Sequence, residues 1–146
     1  MTKEEKELLL KDLCARLPYG VKLEFYASAT KQTYVCTLLG LEPEEEEPII
    51  AKTENGCFYM LAGNVKPYLF PLSSMTEEQK NTFSGKVSIL NAFIDGSICL
   101  SEDEELTPED IIELFNFLNK NHFDYRGLIE KGLAEDATGS LVYSVY

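Results

Sequence analysis

The residues best equipped for chemistry fall in one short run, Asn119-Lys120-Asn121-His122-Phe123-Asp124-Tyr125-Arg126-Gly127-Leu128-Ile129. Within five positions, His122, Asp124, Tyr125 and Arg126 bring together an imidazole, a carboxylate, a phenol and a guanidinium. Such a set can bind a small molecule or act on it: Arg126 clamps an anion while Asp124 orients His122 as a general base. The structural alternative is that the same side chains tie the end of one helix to the next segment through hydrogen bonds and a local ion pair. His122 is the single histidine and Arg126 one of two arginines, so neither role has a substitute elsewhere. No GxSxG, HExxH, Walker A or GxGxxG pattern is present. The acidic run Glu102-Asp103-Glu104-Glu105 lacks the glycine and ligand spacing of an EF-hand and reads as a solvated lead into a helix. Cys14, Cys36, Cys57 and Cys99 form no CxxC pair, and their apolar neighbours predict buried free thiols. The sequence therefore implies no metal, no cofactor and no assigned catalytic residue.

The elements that must position this cluster are legible in part. Thr2 and Glu5 form a capping box, and Leu9, Leu10, Leu13, Cys14 and Leu17 make one apolar helical face that Pro18-Tyr19-Gly20 ends. Val21, Leu23 and Phe25 alternate with polar neighbours as in a strand with one wet face. Thr33 to Leu41 reads as a strand covered on both sides. Glu42-Pro43-Glu44-Glu45-Glu46-Glu47-Pro48 must be an exposed loop, because its five carboxylates repel and its prolines block pairing. Asn55-Gly56 predicts a hairpin between 48–52 and 57–61. A last strand over 65–70 is demoted toward an edge by Pro67. Together these imply a small bent antiparallel sheet or partial SH3-like barrel.

From 74 onward the grammar is helical. A capping box, from Ser74 to Glu77 or from Thr76 to Gln79, opens a helix ending near Ser84-Gly85. Residues 86–100 fit either a helix or, given Asp95-Gly96 between apolar runs, a second hairpin. Thr107-Pro108-Glu109-Asp110 is the clearest helix start, and Ile111, Ile112, Leu114, Phe115, Phe117 and Leu118 leave that helix little polar face, which predicts a central position. Residues 122–134 read as a turn plus one or two helical turns, and 141–146 as a terminal strand. The fold class is α+β in a single domain, 1–146, with a helix-plus-sheet lobe over 1–73 and a mainly helical, acidic lobe over 74–146.

Charge narrows the function classes. The chain has 146 residues, 13 basic and 25 acidic side chains, and a net charge of −12. Residues 1–73 carry eight basic and eleven acidic side chains, net −3, and 74–146 carry five and fourteen, net −9. Phosphate neutralisation needs clustered cations, so nucleic-acid binding by a small barrel is disfavoured. The start has no apolar secretory core, and charge-free stretches run about nine residues where a membrane helix needs about 20. The expectation is a cytoplasmic, reduced protein without a membrane partner. Most of the eight tyrosines and eight phenylalanines are assigned to the core, with a minority free to form a protein-binding surface at the sheet edge.

Three segments carry a resemblance. Leu8 to Val21 (LLLKDLCARLPYGV), Lys66-Pro67-Tyr68-Leu69 with Pro71 and Ser73-Ser74-Met75-Thr76, and Asn121 to Ile129 with Gly132-Leu133-Ala134 are similar, in this order and over about a third of the chain, to short uncharacterised proteins of gut bacteria and their phages or prophages. That group tends to carry arginine at the position of Phe70. The resemblance implies a mobile-element setting and transfers no activity. The function expected is a non-enzymatic accessory protein that recognises a protein partner through its surface, with the acidic C-terminal half steering encounter with a basic surface. The alternatives are a small-molecule binder or enzyme built on His122, Asp124, Tyr125 and Arg126, and an acidic inhibitor that mimics nucleic acid.

Overall fold

A computed structural model describes residues 1–96 and 106–143 of the chain. The capping box at Thr2 and Glu5 starts helix α1, Lys3–Arg16, and a single 3-10 turn, Leu17–Tyr19, ends it. Strands β1 (Lys22–Ala27), β2 (Gln32–Leu41), β3 (Ile49–Thr53), β4 (Gly56–Met60) and β5 (Val65–Pro71) follow. Helices α2 (Glu77–Asn81), α3 (Val87–Ile94) and α4 (Pro108–Lys120) come next, then two-residue strands β6 (Phe123–Asp124) and β7 (Glu135–Asp136). The α+β class read from the sequence is the class of the structure.

The sheet order is β4-β3-β2-β1-β5-β6, with β7 also on β5. It is antiparallel from β4 to β5, as expected, but β6 and β7 join β5 in parallel, so the sheet is mixed. The β3–β4 hairpin forms at the predicted Asn55-Gly56 turn. Leu9, Leu10 and Leu13 of α1 pack on Leu23, Cys36, Leu38, Ile49 and Ala51 of the sheet, and Leu128, Leu133 and Ala134 from the far end of the chain complete this core. A second core gathers Phe83, Leu90, Leu114, Phe117, Leu118 and Phe123. The rings of Phe70 and Phe123, 6.2 Å apart, join the strand shared by both cores to the C-terminal helices.

Several expectations need correction. Strand β2 is not covered on both sides: Gln32 to Val35 are exposed and only Cys36 and Leu38 are buried, because β3 pairs with β2 from Thr37 onward. Strand β5 is interior only from Tyr68 onward, and around Pro67 it keeps the edge character expected of it. Pro67 is tolerated because β7 and β6 pair only with Tyr68 to Pro71, so beside Pro67 the single neighbour is β1. Residues 87–94 are helical, and Asp95-Gly96 closes α3 instead of turning a hairpin, with Gly96 left-handed at φ 71° as a helix end favours. The proposed second arm of that hairpin, the Glu102–Glu105 run and Cys99 lie outside the described residues.

Helix α4 buries one stripe, Leu114, Phe117 and Leu118, while Ile111 and Ile112 are exposed, so it flanks the second core rather than threading it. Residues 125–134 form turns, not a helix: Gly127 is left-handed at φ 72°, which breaks the helical path. Leu141 to Tyr143 is a turn rather than a strand, and 144–146 lie outside the described residues. Cys36 is a buried thiol, raised by burial to about 11, but Cys14 and Cys57 are exposed, one on the outer face of α1 and one on β4. Among the described residues no helix is long and apolar enough to cross a membrane.

Candidate functional site

The four cluster residues sit where α4 ends and the chain meets β5, and the structure sends them to different tasks. Among the described residues His122 is one of two non-glycine positions with positive φ, at 63°. This turns its ring onto Tyr143, stacked at 3.9 Å and 11°. The Tyr143 hydroxyl accepts from Lys22 N–H at 2.9 Å and donates to the Tyr68 carbonyl at 2.8 Å, so the stack fastens the C-terminal turn to β1 and β5. Burial, then the charges of Arg16 and Lys22, lower the His122 pKa to about 4. The imidazole is therefore neutral at pH 7, and its buried Nδ1 has no hydrogen-bond partner among the described residues.

Asp124 does not orient His122. Its two oxygens accept from the backbone N–H groups of Leu128 (3.0 Å) and Ile129 (2.9 Å), capping the turn that follows. For Asp124 this is the structural alternative, a side chain tying the helix end to the next segment, and the His122–Asp124 dyad does not form among the described residues.

Tyr125 and Arg126 do come together, around two residues that the sequence reading missed. Asp12 and Arg16, one helical turn apart on α1, are both 0% exposed. Arg16 Nε and Nη2 donate to Asp12 at 2.7 and 3.2 Å, and Nη2 also donates to the Phe123 carbonyl at 2.7 Å. Arg126 Nε lies 3.3 Å from Asp12 Oδ1, without the alignment of a hydrogen bond. The Tyr125 ring faces both guanidiniums, 5.1 Å from Arg16 and 5.2 Å from Arg126, and its hydroxyl donates to Asn119 at 2.8 Å. Arg126, Tyr125, Asn119 and Phe115 line an open cleft of about 480 Å³. The signal for Asp12 and Arg16 was available: both fall at helical spacing among Leu9, Leu13 and Leu17, on the face that must be buried.

A second surface lies at the opposite end of the sheet. Tyr59 of β4 and Glu42, Glu45, Glu46 and Glu47 of the acidic loop line a shallow depression of about 490 Å³. Phe58 and Tyr59 are 47% and 55% exposed, and Val35, Leu39 and Leu61 are exposed as well. Among the described residues no group of His, Cys, Asp and Glu is placed to hold a metal ion. No family model, curated protein or solved structure matches the chain.

Proposed function

We propose that this chain is an accessory protein that recognises a protein partner through its surface, with its negative charge steering encounter with a basic one. The observation that carries the reading is the exposed Tyr59 ring beside four glutamates, with Phe58 exposed on the other face of the same strand. Exposed aromatics rimmed by charge are the composition of a recognition surface. A net charge of −12 raises the rate of meeting a cationic partner and repels nucleic acid. The resemblance of three segments to short uncharacterised proteins of gut bacteria and their phages or prophages points to a mobile-element setting and to no activity.

A second reading has one observation in its favour: Tyr125 and Arg126 share a cleft with Asn119 and Phe115. A carboxylate on an apolar body suits that lining, with Asp12 holding the guanidinium in place. His122 and Asp124 take no part in it.

The test is capture from host lysate on the tagged chain, at low salt and at about 0.5 M salt, where exposed charge pairs are screened. The wild-type chain is compared with a Glu45→Lys, Glu46→Lys, Glu47→Lys variant. The expected result is a basic protein held by wild type at low salt, released at high salt and not held by the variant. Empty eluates at both salts overturn the reading and leave the Arg126 cleft as the site to pursue.

A further inference from the structure

Strand β4 ends the sheet order, and among the described residues only β3 pairs with it. In an antiparallel pair the backbone groups of alternate residues face away from the partner strand, so β4 presents unpaired N–H and C=O groups outward. Proteins blunt such edges with lysine, proline, bulges or a covering element. Gly56-Cys57-Phe58-Tyr59-Met60 has no lysine or proline, and its register with β3 is unbroken over five pairs. The strand is also exposed from Gly56 to Tyr59.

Its two faces differ. Phe58 lies opposite Ala51, which is buried, so Phe58 stands on the core face and is exposed only because the sheet stops there. Tyr59 lies opposite Ile50 on the other face, against Glu42, Glu45, Glu46 and Glu47. A strand laid along β4 would therefore extend the core with its apolar side chains on the Phe58 side. On the Tyr59 side its cations would stack on the ring and pair with the carboxylates.

We propose that β4 accepts an extended segment of a partner protein by strand addition, and that this segment alternates apolar and basic side chains. The inference deepens the recognition reading and rests on it. Main-chain hydrogen bonds supply the affinity in this mode and the alternating side chains the specificity. A second copy of this chain is the poorer occupant. Pairing two β4 strands in parallel brings two acidic loops together, and pairing them antiparallel sets each loop beside Glu54 of the other copy. Like charges placed across strands are destabilising.

The probe is a labelled peptide of about seven residues alternating arginine and valine, long enough to cover β4. It is titrated into the full chain by fluorescence anisotropy, with hydrogen exchange read over residues 56–60. The same peptide with glutamate for arginine, and one methylated on alternate backbone nitrogens, are the controls. The variant is the triple Glu45→Lys, Glu46→Lys, Glu47→Lys, all at exposed positions. The expected results are slowed exchange over 56–60 and binding weakened about tenfold or more by backbone methylation and by the triple variant.

Equal binding by the methylated peptide, or no slowing of exchange, overturns strand addition. So does a dimer in light scattering that excludes the peptide, which would make a second copy the occupant. If a salt-sensitive basic partner is captured but leaves exchange over residues 56–60 unchanged, strand addition falls while the recognition reading stands. Empty capture with peptide binding intact overturns the recognition reading alone.

Discussion

His122 sits in a left-handed backbone position, stacks on Tyr143 and keeps its imidazole neutral. Its ordinary pKa is about 6.5 when unfolded, against about 4 when folded. Between those values the unfolded chain binds a proton that the native chain does not. The contribution of this residue to stability is therefore complete above about pH 6.5 and is lost as pH falls toward 4. His122→Asn keeps a residue that tolerates positive φ but removes the titration. We expect the urea midpoint of wild type to fall more steeply than that of His122→Asn between pH 7 and pH 4.5, and parallel curves would show that His122 is not the group responsible. The sequence displayed the residue types of this cluster but not their directions. Whether His122 faces Asp124 or Tyr143 is decided by a positive φ that the residue type does not announce. Whether Asp124 is a catalytic partner or a cap depends on which N–H groups are left orphaned by the turn after it.

At the scale of elements, the Asp12–Arg16 pair pins α1 to β6, since the same guanidinium holds both Asp12 and the Phe123 carbonyl. Removing one member of a buried pair leaves a charge without its partner and costs about 3–5 kcal/mol. The two deletions are not equivalent. Arg16→Met leaves Asp12 with Arg126 at 3.3 Å, whereas Asp12→Asn leaves two guanidiniums sharing the Tyr125 ring with no carboxylate between them. Urea denaturation is expected to rank Asp12→Asn as the more destabilising, with the double replacement Asp12→Leu and Arg16→Met recovering part of the loss. A smaller effect for Asp12→Asn would mean that Arg126 does not depend on this carboxylate. Elements bounded by local chemistry were legible: the box at Thr2 forms, Thr76 rather than Ser74 opens α2, Thr107 caps α4, and the Asn55-Gly56 hairpin closes. What stayed hidden depends on distant partners. β6 and β7 are two residues each and exist only because β5 receives them, and β5 becomes interior for the same reason. The exposed half of β2 likewise follows from where β3 begins to pair, which no run of β-branched residues reveals.

For the whole molecule, the balance to weigh is self-repulsion against ion pairing. Twelve excess negative charges on 146 residues repel one another across a surface that water and salt can reach. The exposed pairs, Lys66–Glu135 at 3.6 Å and Lys80–Glu77 at 3.4 Å, contribute little because both partners compete with solvent. The strong pair, Asp12 with Arg16, is buried and salt screens it far less. Added salt should therefore relieve more repulsion than attraction, and the acidic loop of Glu42 to Glu47, with five carboxylates in six residues, is one place where that relief falls. We expect the melting temperature to rise between about 20 mM and 500 mM sodium chloride, by about 3–5 °C for each kcal/mol relieved in a domain of this size. The triple lysine substitution at Glu45, Glu46 and Glu47 should flatten that dependence by moving the net charge six units toward neutrality. A melting temperature that falls with salt would instead place the balance with surface ion pairs. The same substitution would then be destabilising at low salt rather than neutral or stabilising, so one titration on two proteins decides between them.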